Sequence, residues 1–145
     1  MPRIELKYTQ HNSLYLRGTV LNKVESTKFL GVHIDGNLSW TKHVDILCTK
    51  ISKNVGVMNR LKFFLSKTTL LTLYNSLILP YLNYAILAWG NSTSQCNKLL
   101  LLQKRAVRIL SRTSYRSHTN PLFAELNILK MDDLFNLHFG KFMFK

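Results

Sequence analysis

The sequence predicts an α+β fold, in which a small N-terminal antiparallel β-meander is followed by a mostly α-helical bundle. Two observations lead to this prediction. Short β-favouring runs separated by turn residues occupy the beginning of the chain. From Ser39 onwards, apolar residues recur every three or four positions, which is the spacing of one face of an α-helix. We therefore divide the chain into a β-meander over 1–36 and a helical region over 37–145.

Four strands are predicted before the helices begin, and each is bounded by turn residues. They cover 3–8, 14–17, 20–24 and 27–34. Gly31 lies inside the fourth run, where a glycine is typical of a bulge or of a close backbone approach. Gly36-Asn37 is a turn signal, and Ser39 is the predicted N-cap of the first helix.

The first two predicted helices carry the widest apolar surfaces. The inward face of the first helix is formed by Trp40, Val44, Leu47, Ile51, Val55, Met58 and Leu61. A second helix over 67–89, capped by Ser66, is expected to kink or break near Leu79 because Pro80 follows. Its apolar run is nearly long enough to span a membrane, but the polar residues within it disfavour that interpretation.

Three further helices complete the predicted bundle. They cover 95–111, 121–126 and 131–144, and Pro121 lies at a favourable first position of the second of them. The last helix reaches Lys145 without a C-cap, so we expect the chain to be truncated at this end.

The charge distribution points to a polyanionic partner. The 145 residues carry 20 Lys and Arg against 7 Asp and Glu, a formal net charge of +13. No carboxylate side chain occurs over 46–124, which suggests a surface that must stay positive. Nucleic acid is the first candidate partner, and an anionic membrane surface is the second.

The clearest binding signal is a basic helix in which Lys104, Arg108 and Arg112 repeat every four residues beside Arg105. Such side chains lie along one edge of the helix, at a spacing close to that of nucleic-acid phosphates. An ordinary solvated basic face is the alternative. The predicted nucleic-acid-binding residues are Lys50, Lys53, Arg60, Lys98, Lys104, Arg105, Arg108, Arg112 and Arg116.

No catalytic residue and no metal ligand is predicted. Asp132-Asp133 is the one adjacent acidic pair, and it lies at a predicted helix start, where carboxylates favourably meet the helix dipole. The histidines lack metal-ligand spacing, and no Gly-rich phosphate loop is present. Cys48 and Cys96 are interpreted as reduced thiols. Without a secretory signal, the chain is expected to be intracellular, in the nucleus, the cytoplasm or both, and not secreted.

Several motifs resemble one family in a single collinear order. The segment 28–35, with Leu38-Ser39-Trp40 after it, resembles the region that follows the polymerase core of non-LTR retrotransposon (LINE-type) reverse transcriptases, especially the Jockey-like group. The segments 73–84, 102–108 and 118–123 resemble the thumb-region helix, the basic helix and the region beyond it. The likeness covers about 14–145. Ala85 departs from the family, which often has glycine there.

The resemblance implies a role for each part of the chain. Residues 1–36 would be the end of the palm, with a primer-grip-like strand that includes Phe29, Leu30 and Gly31. Residues 37–145 would be a thumb-like and post-thumb region. The implied partners are RNA, RNA–DNA or DNA duplex and the remainder of the parent polymerase, with no membrane partner.

The resemblance also implies what the chain lacks. The family's catalytic signature is a set of aspartates that bind two magnesium ions, and its motif is not found in this sequence. We therefore interpret the chain as a fragment of an RNA-directed DNA polymerase that binds and positions template–primer but is inactive alone. Magnesium is expected only in the intact parent, and no cofactor is expected here. The alternatives are a stand-alone basic nucleic-acid-binding protein without polymerase activity, or a membrane-associated or structural helical protein.

Overall fold

The computed structural model describes residues 7–8, 14–16 and 18–144, and within them two small antiparallel sheets precede seven helices. The predicted α+β fold is confirmed. Strands β1 (Lys7–Tyr8), β2 (Leu14–Leu16) and β3 (Thr19–Leu21) form one sheet in that order. Strands β4 (Ser26–Phe29) and β5 (Val32–Asp35) form a separate hairpin, so the strands do not make a single meander. The predicted strand residues 3–6 and 17 lie outside the described residues.

The fourth predicted strand, 27–34, is two strands joined by a tight turn. Phe29 pairs with Val32, so the loop consists of Leu30 and Gly31 alone. Both have positive φ, 45° and 83°, which is the backbone of a type I′ turn. The predicted bulge at Gly31 is therefore wrong, because the turn itself requires the left-handed conformation. The alternative prediction of a close approach agrees with the structure, since a Cβ atom at Gly31 would lie 3.5 Å from the Tyr84 ring. The hydroxyl of Tyr84 donates a hydrogen bond to the Leu30 carbonyl and fastens this tip to the helices.

Helix α1 (Thr41–Leu61) begins close to the predicted position and buries the predicted inward face, except that Trp40 and Leu61 at its two ends are half-buried. Its first acceptor is the carbonyl of Trp40, whose backbone is left-handed at φ 61°. The N-cap position is Trp40, one residue after the predicted Ser39, although the Ser39 hydroxyl does accept the N–H of Thr41 at 3.4 Å. The carboxylate of Asp35 accepts both the N–H of Ser39, at 2.8 Å, and its hydroxyl, at 2.7 Å. These two hydrogen bonds lower the pKa of Asp35. Sequence spacing did not reveal His43, which is also buried on this helix.

The predicted helix over 67–89 is three helices, because two backbone positions interrupt it. These are α2 (Lys67–Leu77), α3 (Leu79–Asn83) and α4 (Ile86–Trp89). The Ser66 cap is confirmed, since its hydroxyl accepts the N–H of Thr69 at 3.1 Å. The first break precedes Pro80, and the second falls at Ala85, which has φ 51°. A glycine would adopt this left-handed backbone more easily than alanine.

The described part of the chain contains no helix that is both long enough and apolar enough to cross a membrane.

Helix α5 (Thr93–Leu110) packs beside α1 and runs parallel to it. At their N-terminal ends, the Gln95 amide donates to the Thr41 hydroxyl at 3.1 Å, and Lys98 pairs with Asp45 at 2.7 Å. At their C-terminal ends, Asn59 of α1 and Arg105 of α5 line the same cleft. The two helices therefore present one continuous surface.

Helices α6 (Asn120–Glu125) and α7 (Met131–Met143) close the bundle around a mostly apolar core. Gln103 is fully buried in it, and its amide nitrogen donates to the Tyr74 hydroxyl at 2.9 Å and to the Leu129 carbonyl at 2.8 Å. This side chain thus joins α5 to α2 and to the segment before α7.

Gly90 permits the close packing of α4 against α7. A Cβ atom at Gly90 would lie 2.6 Å from the Ile86 carbonyl oxygen and 2.9 Å from the Phe135 ring. Both distances are too short for a side chain to be accommodated without movement, so the packing there requires glycine.

Candidate nucleic-acid interface

Two adjoining clefts lie where α1 and α5 end, and together we call them the basic–aromatic cleft. The first has a volume of about 240 Å³ and is lined by Asn59, Lys62, Arg105, Arg108, Ile109, Thr113 and Tyr115. The second has a volume of about 180 Å³ and is lined by Lys62, Phe63 and Arg112. Lys62 borders both, so the two clefts share one positive wall. None of the lining residues is acidic.

Two of the predicted arginines in this cleft also hold the structure together. The Arg108 Nε donates to the Ser117 carbonyl at 3.0 Å, and its guanidinium carbon lies 5.8 Å from the centre of the Tyr115 ring. Arg112 donates to the Leu65 carbonyl at 2.7 Å. Arg112 lies beyond the end of α5 with φ 52°, so the predicted four-residue repeat does not continue along one helix.

Lys62 and Arg105 are the cations of the cleft with the greatest freedom to meet a ligand. Among the described residues, neither forms an ion pair. The Lys62 ammonium lies 4.9 Å from the centre of the Phe63 ring. Lys62 was not among the predicted binding residues, although its place in the acid-free span, directly before two phenylalanines, was a signal for it.

The remaining predicted cations on α1 are all exposed. Lys53 and Arg60 are seven residues apart, so they share the outer ridge of the helix. Lys50 lies three residues before Lys53 and next to that ridge, with its ammonium 5.4 Å from the centre of the Tyr81 ring. Lys53 and Arg60 therefore form the row, and Lys50 lies beside it.

The other predicted cations of α5 and its following loop are not gathered in the cleft either. Lys98 is paired with Asp45 near the opposite end of the helix. Lys104 is partly buried on α5, and Arg116 is exposed in the loop after it. Neither lines either half of the basic–aromatic cleft.

The primer-grip-like residues lie at the other end of α1. Phe29 and Leu30 are 63% and 74% exposed, and Gly31 completes the hairpin tip. Helix α1 contains 21 residues and is therefore about 30 Å long. The hairpin packs near its start and the basic–aromatic cleft is at its end, so the structure separates the two predicted sites.

No carboxylate side chain of the described residues lines the basic–aromatic cleft. Glu125 pairs with Lys67 at the start of α2. Glu25, Asp35 and Asp45 line a larger cleft of about 780 Å³ near the start of α1. Asp132 and Asp133 lie exposed in the first turn of α7, where the helix dipole favours them. Within the described part of the chain, no three His, Cys, Asp or Glu side chains gather where they could hold a metal ion.

The two cysteines are free thiols in the structure. Burial raises the pKa of Cys96 to about 11, and the Cys96 Sγ donates to the Gly90 carbonyl at 3.2 Å. Burial also raises the pKa of Cys48. Neither thiol is therefore an activated nucleophile at neutral pH.

His43 links the β4–β5 hairpin to the helical bundle. Its Nδ1 accepts the backbone N–H of His33 at 3.4 Å, and its ring lies edge-on to Trp89, with ring centres 5.6 Å apart. Burial lowers the pKa of His43 below its ordinary value of 6.5, and the nearby charges of His33 and Lys50 lower it further. A proton on Nδ1 would also remove the acceptor for the His33 N–H.

We expect acid to destabilise the protein through His43. Below about pH 6.5 the unfolded chain takes up a proton at this side chain while the folded chain resists it, so the free energy of unfolding falls as the pH drops. The melting temperature should be lower at pH 5 than at pH 7. In His43→Leu this part of the pH dependence should disappear. The exposed His118→Gln variant is the control, and an unchanged pH profile in His43→Leu would contradict the assignment.

The site is thus a helical pair with an exposed basic surface and an aromatic-lined cleft. The sequence of the chain is similar to those of several known proteins. Over 134 residues the chain is 24% identical to the probable RNA-directed DNA polymerase from transposon BS of Drosophila melanogaster, covering 88% of this chain and 14% of the relative. Over 122 residues it is 26% identical to the RNA-directed DNA polymerase from mobile element jockey of Drosophila funebris, covering 81% and 13%. A third relative, the probable RNA-directed DNA polymerase from transposon X-element of Drosophila melanogaster, is 23% identical over 135 residues, covering 89% and 15%.

These relatives are RNA-directed DNA polymerases of mobile elements. The resemblance to the Jockey-like non-LTR reverse transcriptases is thus confirmed, because most of this chain matches a segment of such polymerases. The chain spans about one-seventh of the length of the curated relatives that it matches. No family model matches the chain, and no solved structure matches it.

Proposed function

We propose that this chain contributes template–primer binding to a larger RNA-directed DNA polymerase. In this proposal the outer surface of α1 and α5 holds a nucleic-acid duplex through its phosphates. The observation that carries the proposal is the exposure of Lys53, Arg60 and Arg105 on the α1–α5 pair, at positions that belong to the acid-free span 46–124. Binding of this kind needs positive charges along the backbone and does not depend on base sequence.

The spacing along α1 supports a backbone contact. Lys53 and Arg60 are two helical turns apart, about 10 Å. This distance corresponds to about three nucleotides of one strand. The partners in this proposal are RNA–DNA or DNA duplex and RNA, together with the remainder of the parent polymerase.

The β4–β5 hairpin is the element that we assign to primer positioning. Its tip exposes Phe29 and Leu30, and the hydrogen bond from Tyr84 fixes the tip against the helices. A duplex that lies along α1 from the hairpin to the basic–aromatic cleft would cover about 30 Å, or about nine base pairs. The catalytic aspartates and magnesium belong, in this proposal, to the rest of the parent.

The binding surface is tested by removing its charges. Fluorescence anisotropy with an RNA–DNA duplex of about 12 base pairs should show affinity that falls steeply between about 50 and 200 mM salt. The triple variant Lys53→Gln, Arg60→Gln, Arg105→Gln should bind about tenfold more weakly or worse at low salt, and its salt dependence should be shallower by about one per lost phosphate contact.

A matched triple variant controls for net charge. Lys23→Gln, Lys130→Gln, Lys141→Gln removes the same charge from positions away from the outer ridge of α1 and from α5. Equal losses in the two variants, or binding that does not respond to salt, would contradict the proposed surface. The chain alone, given magnesium and deoxynucleotides, should bind the duplex without extending the primer.

A further inference from the structure

We propose that the basic–aromatic cleft binds an unpaired nucleotide of a single-stranded nucleic acid, with its base against the Tyr115 ring and its phosphate against Lys62 and Arg105. The inference rests on the proposed function for the class of ligand. It adds a second site, at the end of α1 and α5. This site binds a single strand, whereas the outer surface of the two helices binds a duplex.

The exposed aromatic side chains at this end of the molecule are the first argument. Tyr115, Phe63 and Phe64 are 78%, 80% and 84% exposed, whereas Tyr74 and Trp89 are fully buried in the core. Packing within the chain therefore does not account for the three exposed rings. Single-stranded nucleic acids bind to such rings by stacking their bases on them, next to cations that contact the backbone.

The pairing of rings with cations is the second argument. The Arg108 guanidinium lies 5.8 Å from the centre of the Tyr115 ring, and the Lys62 ammonium lies 4.9 Å from that of Phe63. Because Arg108 also donates to the Ser117 carbonyl, it fixes the loop that carries Tyr115. Arg108 thus positions the ring, and Lys62 and Arg105 are left for a phosphate.

The small size of the cleft favours a single unpaired nucleotide. Its volume is about 240 Å³, whereas the major groove of a duplex alone is about 12 Å wide. The cleft therefore offers space for one flat base against the Tyr115 ring and none for a whole duplex. None of the described residues that line the cleft is acidic, so no lining carboxylate repels the phosphate.

The test compares single strands with a duplex on the full chain. The probes are labelled oligo(dT), oligo(U), an abasic oligonucleotide of equal length and the RNA–DNA duplex. Tyr115→Ala should weaken binding of oligo(dT) and oligo(U) by about 5- to 100-fold and leave duplex binding within about twofold. Tyr115→Phe should retain single-strand binding, and the abasic strand should not respond to Tyr115→Ala because it has no base to stack.

Phe142→Ala is the matched control, since Phe142 is an exposed aromatic residue on α7, outside the cleft. Lys62→Gln should weaken binding of the abasic strand as well, because that strand keeps its phosphates. The same loss of single-strand and duplex binding in Tyr115→Ala, or no loss at all, would overturn this site. Duplex binding without single-strand binding would overturn it while leaving the proposed function intact, and binding of neither would overturn both.

Discussion

Replacing Trp89 with alanine is expected to lower the free energy of unfolding by about 3–5 kcal/mol. Trp89 is fully buried, its indole N–H donates to the Tyr84 carbonyl at 2.9 Å, and its ring contacts His43. The substitution therefore creates a cavity where the β4–β5 hairpin, α1 and α4 meet. Urea denaturation followed by circular dichroism measures the loss.

Two further variants interpret that result. Trp89→Phe keeps most of the ring volume but removes the indole donor, so it should cost less than Trp89→Ala. Leu101→Ala truncates a side chain that is exposed on α5 and should change stability little. A loss of less than about 1 kcal/mol in Trp89→Ala would mean that this junction is not a principal part of the core.

The second large effect is expected from Gln103→Leu, which should lower the free energy of unfolding by about 2–3 kcal/mol. The substitution leaves the buried Tyr74 hydroxyl and the half-buried Leu129 carbonyl without the donor that both share. Burial raises the pKa of Tyr74 to about 12, so its hydroxyl stays protonated at neutral pH. Ionisation of this hydroxyl therefore cannot compensate for the loss of its hydrogen-bond partner. Chemical denaturation of the single variants measures each loss.

A double-mutant cycle separates the hydrogen bond from the packing. In Gln103→Leu, Tyr74→Phe the unsatisfied hydroxyl is also removed, so the double variant should be less destabilised than the sum of the two single variants. Strict additivity would contradict a direct interaction. Asn97→Leu, at an exposed position of the same helix, controls for the change in hydrophobicity.

The helices were predictable because their signals are local. Three of these signals depend on residues within a few positions of one another: the apolar inward face of α1, the cap at Ser66 and the interruption before Pro80. The break at Ala85 was not predicted, because alanine carries no sign of a left-handed backbone. The turn at Leu30 and Gly31 was missed for a related reason. Leucine is not a typical turn residue, so the two-residue loop was interpreted as part of a continuous strand.

The candidate site was predictable in its charge and not in its shape. The acid-free span pointed to a positive surface, and Arg105 and Arg108 do line the basic–aromatic cleft. The cleft itself arises because α1 and α5 end side by side, a long-range arrangement that no local pattern encodes. For the same reason Lys62 and Tyr115 were not recognised, although the sequence placed both in the basic span.

The parallel pairing of α1 and α5 also has a consequence for synthesis of the chain. Helix α1 ends about fifty residues before α5 ends, so the ribosome completes the first helix well before its partner. Protein synthesis proceeds at about 5–20 residues per second. Several seconds therefore pass between the synthesis of α1 and that of α5, which covers its apolar face. During that interval most of this face is exposed on the nascent chain. The β4–β5 hairpin, which is made before α1, and α2, which is made directly after it, are the elements that can cover part of the face.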